Sequence, residues 1–422
     1  MFRLSVRCRS ALVGLAVGAA GAVTGPVATA GAAEPVFAPV DRPGPALSVP
    51  AAQLDSRLQC SPGLDGAGRA PVLLVQGTGA TAKDNWSWTY QPALDKLGIA
   101  WCTIDLPDNA TSDVQVAGEY VVHAIRTMHR RAGRRIAIIG HSQGGMVPRW
   151  ALRFWPDTRA MVDDVIGFAP SNHGTVMARC QGGCSAAGWQ QSDESSFMKA
   201  LNSRQETFAG ISYTNVYTRT DETVQPNQDA LTGSSSLRTG DGRITNVATQ
   251  DVCPAAVYEH LLVGLVDPVA YALAVDALNN DGPAAPSRVP VTTCAQALHP
   301  GINPVTGPVS AVMALQSFSS FEPKQLAAEP PLACYVTGSC APAAAACVSK
   351  RRFVVHVPKR FRFAVRVRLN GRSLGVTGVR GRQSARVDLR GRGPARVTLK
   401  ITGRSRAGGR LLTETRTYRP CR

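Results

Sequence analysis

The sequence lacks the patterns that mark a metalloprotein. Its 422 residues hold no Cys-x-x-Cys pair and no His-Glu-x-x-His, and the seven histidines are scattered. A structural metal site is therefore not expected. A long N-terminal apolar run is also missing: residues 11–23 are too few to cross a bilayer, and no twin-arginine pair precedes them. Instead Arg3, Arg7 and Arg9 lead into that short run, and the small-residue stretch GPVATAGAAEP follows. This is the order of a secretory signal peptide, with cleavage expected after Ala30 or Ala33, so residues 1–33 are read as a leader and the protein as exported, with no transmembrane segment. Acidic residues are nearly absent from the last 76 positions. Residues 347–422 carry 22 Lys and Arg against Asp388 and Glu414, a net charge of +20, whereas the other 24 basic and 27 acidic residues net −3. The overall +17 is therefore a property of the tail.

What is present fits an exported globular protein. Hydrophobic residues make up 44% of the chain, enough to bury a sizeable core. Of 11 cysteines, Cys8 falls in the leader and leaves ten, an even number for which disulfides are the default in an oxidising compartment. Residues 34–59 are rich in Pro and Ala and read as an extended lead-in. From Pro71 to about Leu332, short apolar strands alternate with helical stretches. PVLLVQG (71–77), IAWCTIDLP (99–107), RRIAIIG (134–140), DDVIGFAP (163–170), ISYTNVYTRTD (211–221) and RITNVATQ (243–250) read as strands. The stretch 112–133 has helical spacing, with Ser112 or Asp113 as N-cap and Gly133 as its stop. Such alternation implies an α/β fold with a mainly parallel sheet covered by helices. After APAAAAC (341–347) the pattern changes to period-two alternation between Gly-rich turns, a small antiparallel all-β, sandwich-like module with one arginine-studded face. The expected organisation is leader 1–33, α/β domain 34–340, Ala/Pro linker 341–346 and arginine-rich β domain 347–422. No internal repeat is evident.

Gly140-His141-Ser142-Gln143-Gly144 fits G-x-S-x-G and stands between an apolar strand and a helical stretch, the setting a nucleophile elbow requires. A serine hydroxyl needs a base, and the base an orienting acid. In α/β folds of this kind the chain order is Ser, acid, His, which removes His123, His129 and His141 as bases. Among His173, His260, His299 and His356, His173 follows its strand too soon and His356 lies in an alternating strand of the tail. His299 lies in a Pro-flanked stretch, whereas His260 stands on the kind of loop such a base occupies. Asp221 directly follows a β-rich run, so its carboxylate would emerge at the sheet edge where ligands gather, with the adjacent Glu222 as rival. Asp157, Asp163 and Asp164 read as solvated turn residues. Oxyanion donors are expected from the backbone N–H of Gln143 and from Thr78 in VQGTGAT.

The blocks PVLLVQGTGAT, GHSQGGMVPRWALRFWP, FAPSNHGTV, YTRTDETVQP and VCPAAVYEH resemble, in order, those of the Candida antarctica lipase B-like family, over roughly residues 50–335. The resemblance implies an α/β-hydrolase fold and ester hydrolysis without a cofactor. It carries the nucleophile onto Ser142, the acid onto Asp221 and the base onto His260. The oxyanion hole falls on Thr78, by backbone and hydroxyl, and on Gln143. It also implies disulfides Cys60–Cys102 and Cys253–Cys294. The chain departs from the family pattern at three expected pocket positions. His141 replaces a tryptophan, Thr223 an isoleucine and Ser171 an aspartate, so the relatives' alcohol selectivity does not carry over. Cys180 and Cys184 match no family pair and are read as closing a small loop near the entrance. For the last four cysteines the expected pairs are Cys334–Cys340 and Cys347–Cys421. Pro148 is tolerable only near the first turns of its helix.

The expectation is a secreted serine ester hydrolase acting on lipid or other apolar esters. A short-chain carboxylesterase, a polyester hydrolase and an acyltransferase with the same triad are the alternatives. A reading of another class makes the protein an envelope-binding one, whose basic module meets an anionic surface or lipid interface. Nucleic acid is not an expected partner of an exported chain.

Overall fold

The apolar runs assemble into one seven-stranded sheet. Its strands are β1 (Leu58–Cys60), β2 (Val72–Val75), β3 (Trp101–Ile104), β4 (Ile136–His141), β5 (Val162–Phe168), β6 (Ser212–Tyr217) and β7 (Arg243–Ala248). They lie in the order β1-β3-β2-β4-β5-β6-β7. All neighbours are parallel except β1 and β3. The structure, a computed structural model, describes residues 36–339, 349, 351–390 and 396–419. The leader 1–33, the linker 341–346 and Cys340, Cys347 and Cys421 lie outside the described residues.

The sheet is buried on both faces because its strands send alternate side chains into two different cores. Leu73, Val75, Ile136 and Ile138 point into one, where they meet Tyr120, Val121 and Ile125 of one helix and Trp150 of the next. Val72, Leu74, Ala137 and Ile139 point into the other, beside Trp86, Tyr90 and Leu273. The principal helices are α1 (Ala51–Ser56), α2 (Val114–Ala132), α3 (Gln143–Phe154), α4 (His260–Leu265), α5 (Pro268–Asn279) and α6 (Gly307–Ser320). Asp113 caps α2 by accepting from Gln115 N–H, and Gly133 ends it, as expected. The apolar stretch His260–Asn279 has the length and composition of a membrane span, with mean hydropathy 1.8. Here it is broken into α4 and α5 by Asp267, which caps α5, and is largely buried.

Two expectations are corrected and a third, on Pro148, is met. The lead-in is not merely extended: it contains α1 and the edge strand β1, and Cys60 is bonded to Cys102 directly across from it on β3. Asp164 does not solvate a turn but sits buried in β5, where desolvation raises its carboxyl to about 7. Pro148 falls in the second turn of α3, so the carbonyl of Gly144 loses its donor four residues on, and that carbonyl packs against Gly140.

The C-terminal strands form two antiparallel sheets, as the alternation implies. One has the order β10 (Arg372–Leu374), β9 (Phe363–Leu369), β13 (Val397–Arg404), β14 (Leu411–Tyr418). The other has β11 (Val376–Thr377), β12 (Ser384–Asp388), β8 (Arg352–His356). Val367, Leu399 and Ile401 from the first and Val355, Ala385 and Val387 from the second share one buried cluster.

Candidate active site

Ser142 stands at the turn from β4 into α3 with φ 56° and ψ −124°, a conformation that L-residues rarely adopt. Two glycines permit it. A Cβ on Gly140 would lie 2.0 Å from the carbonyl oxygen of Gly144, and one on Gly144 would lie 2.1 Å from that of Val75. The motif is thus a steric requirement of the close approach between β4, β2 and the start of α3.

The structure brings the three expected side chains together. His260 Nε2 is 3.0 Å from Ser142 Oγ, and His260 Nδ1 is 3.0 Å from Asp221 Oδ2. Asp221 follows β6, and its side chain is fully buried. Its Oδ1 accepts from the backbone N–H groups of Thr223 (2.9 Å) and Val224 (2.7 Å), and Oδ2 from Asn227 Nδ2 (3.4 Å). The rival Glu222 is exposed and turned elsewhere: Oε2 accepts from His260 N–H at 3.3 Å, and Oε1 from the Thr223 hydroxyl. The neighbouring Glu259 caps α4 by accepting from the N–H groups of Leu261 and Leu262, which fixes the turn that presents His260.

The other histidines are engaged elsewhere. His173 pairs with Glu206 at 2.8 Å, His123 with Asp55, and His129 with the Arg134 carbonyl. His299 is buried against the Leu265 carbonyl, and His356 lies on β8. His141 is closest in kind to a second base, with its ring 5.2 Å from that of His260. It is tied off: Nε2 donates to the His260 carbonyl at 3.0 Å, and Nδ1 faces Asn85 Nδ2 at 3.4 Å. Asn85 Oδ1 in turn accepts from Gly77 N–H at 2.9 Å. Burial pushes the His141 imidazole down to about 3, so it stays neutral. Gly264 makes room for it, because a Cβ there would lie 2.1 Å from His141 Cδ2.

Thr78 lies beside the serine on the loop after β2. Gln143 Nε2 donates to its Oγ1 at 3.0 Å, and Gln191 Nε2 does so at 2.9 Å. Those two bonds fill the acceptor positions of the hydroxyl and leave its hydrogen to be donated. The backbone N–H of Gln143 is the first of α3, where no intrahelical partner exists. Gln191 carries no motif and is not among the residues expected from sequence. Ser171, expected in the pocket, does not line the cavity: it is fully buried behind Gln191 and donates to Gln191 Oε1 at 3.0 Å.

Ser142 and His260 open into a cavity of about 690 Å³. Its wall is mostly apolar, with Met177, Val224, Leu261, Leu315, Phe318 and Phe321 contributing, and both His141 and Thr223 reach it. Cys180 and Cys184 are bonded, as are Cys253 and Cys294. The first bridge closes a small loop whose Cys184 pairs with Leu326 through two backbone hydrogen bonds, beside the Phe321–Pro323 part of the wall. Cys334 is also disulfide-bonded.

Residues 69–253 match the family model described as Lipase (class 2). The chain is 34% identical over 245 residues to lipase B of Pseudozyma antarctica, covering 56% of this chain and 70% of that one. It is 28% identical over 112 residues to a triacylglycerol lipase of Pseudomonas fragi, covering 26% of this chain and 37% of that one. Among solved structures, Aspergillus fumigatus lipase B superposes with a TM-score of 0.64 at 29% identity, over 72% of this chain and 75% of that chain. The elbow, the parallel sheet and this extended likeness converge: the chain belongs to the Candida antarctica lipase B-like family of α/β-hydrolases and is a carboxylic ester hydrolase.

Proposed function

We propose that the protein is a secreted lipase that hydrolyses apolar esters through Ser142, His260 and Asp221. The observation that carries the reading is the hydrogen-bonded chain from Ser142 Oγ through His260 to the buried Asp221, at the floor of an apolar cavity. Ser142 Oγ attacks the ester carbonyl carbon while His260 Nε2 takes its proton. The carbonyl oxygen becomes an oxyanion, stabilised by the Gln143 N–H and by the N–H and O–H of Thr78. When the tetrahedral intermediate collapses, the bond to the alkoxy oxygen breaks and His260 returns its proton to the leaving alcohol. Water then attacks the acyl-enzyme with His260 again as base, the acid departs, and Ser142 regains its proton. Asp221 holds the imidazole with Nδ1–H towards itself and stabilises the imidazolium. The leader-like N-terminus and the disulfides support export. We assign catalysis to residues 34–340 and treat 347–422 as a separate module.

Activity on p-nitrophenyl butyrate tests the roles. Ser142→Ala is expected to lower kcat by roughly 10⁵-fold or more, and Asp221→Asn by on the order of 10⁴-fold. Glu222→Gln is expected to stay within about threefold of the parent, since its carboxylate lies off the relay. Full activity in Ser142→Ala would sink the assignment. A chain-length series from acetate to palmitate, with emulsified triglyceride, tests the substrate class: a maximum at acetate without attack on the emulsion would exclude a lipase.

A further inference from the structure

Part of the unpaired charge of the arginine-rich module lies on a sheet face that holds no carboxylate. In the four-stranded sheet, Val367 and Leu369 of β9 and Leu399 and Ile401 of β13 are buried, so the residues between them face outward. Register then places residues opposite one another on that outer face. Ser373, Arg368, Lys400 and Thr415 form one row across the four strands, and Arg366, Thr402 and Thr413 the next. Rows repeat every second residue, about 7 Å apart, and neighbours within a row are about 5 Å apart. Thr398 and Thr417 extend the face at one end, and Arg404 and Leu411 at the other.

No carboxylate belongs to this face. Glu414 alternates to the other side of β14, where it pairs with Arg360 and Arg416, and Asp388 lies on β12 with Arg390. The side chains of Arg366, Arg368 and Lys400 have no ion-pair or hydrogen-bond partner among the described residues. Cationic Arg368 directly opposite cationic Lys400 costs the sheet stability, because like charges across a ladder repel. An external anionic surface relieves that repulsion. The hydroxyl rows suit phosphate oxygens, and Leu411, 58% exposed at the edge of the same face, suits a hydrocarbon boundary rather than a soluble polyanion.

We propose that this outer face of β9, β13 and β14 docks the protein onto a bilayer containing anionic phospholipid. The role is separate from the chemistry at Ser142 and delivers an ester hydrolase to a lipid phase. Co-sedimentation of the full chain with phosphatidylcholine vesicles, with and without one quarter phosphatidylglycerol, tests it across a salt series. Binding is expected only with phosphatidylglycerol and is expected to weaken as salt rises. The face variant Arg366→Ser/Arg368→Ser/Lys400→Thr is expected to lose roughly 100-fold in partitioning, about fivefold for each charge. Arg352→Ser/Arg382→Ser/Arg386→Ser removes the same charge from the three-stranded sheet, away from the face, and is expected to lose less than about tenfold. Equal losses in the two triples would overturn the proposal, as would equal binding to neutral vesicles or binding of soluble polyphosphate without binding of phosphatidylglycerol. Both variants are to keep parental hydrolysis of p-nitrophenyl butyrate and parental melting. That readout separates misfolding, and any failure of the Ser142 assignment, from failure of docking.

Discussion

Two glutamine side chains decide which way the Thr78 hydroxyl points. Gln143 and Gln191 both donate to Oγ1, so the hydrogen left over is the one available to an oxyanion. Ser171 fixes Gln191 from behind through Oε1. Thr78→Val keeps the shape and the backbone N–H but removes that donor, and kcat is expected to fall about 10²- to 10³-fold with KM little changed. Thr78→Ser is expected to restore most of the loss. Steady-state kinetics on a soluble ester would show it, and a Thr78→Val enzyme at parental kcat would remove the hydroxyl from the mechanism. The elbow and Thr78 were legible in the sequence because each occupies a short motif whose chemistry demands small or hydroxylic residues. Gln191 was not, since nothing in WQQSDES sets one amide apart from the next. His141 was legible only by exclusion. Chain order removed it as a base, while its ties to Asn85 and to the His260 carbonyl arise from strands and helices far apart in sequence.

Among the elements, the loop closed by Cys180 and Cys184 and the segment it holds shape the entrance. Five residues enclose little chain entropy, so this bridge is worth only about 2 kcal/mol of stability, against about 4 kcal/mol for the bridge closing the 42-residue separation of Cys60 and Cys102. Its effect is expected in selectivity. Cys184 pairs with Leu326 in both directions, and Trp189 Nε1 also donates to the Leu326 carbonyl, so the loop pins the chain just after Phe321 and Pro323. Cys180→Ser/Cys184→Ser is expected to leave butyrate hydrolysis within about threefold while lowering palmitate hydrolysis by roughly tenfold, with melting lowered modestly. Superimposable chain-length profiles would show that the loop does not shape the wall. Strands β2 to β5 could be read from apolar runs because strands covered on both faces need them, and β6 and β7 from their β-branched and aromatic residues. The edge strand β1 could not: it is three residues long, and it is held by pairing with β3 rather than by its own pattern.

For the molecule as a whole, buried ionisable groups oppose one another as pH changes. Burial lowers His141 to about 3 and His299 to about 4. The stability they contribute is complete above pH 6.5 and is lost as pH falls towards those values. Asp164 and Asp267 are raised to about 7 and about 6, mainly by burial. Their contribution is complete below about pH 3.8 and is lost as pH rises through the raised values. Asp164→Asn is therefore expected to raise the melting temperature at pH 8 by a few degrees and to give no gain at pH 4. Melting curves at the two pH values check this, and a gain confined to pH 4 would reverse the sign. The partition of charge has a further consequence. With +20 held in residues 347–422 and −3 in everything before them, one proteolytic cut within 341–346 would change the sign of the catalytic piece. A hydrolase held at an anionic surface would then become a freely diffusing anion with its active site intact.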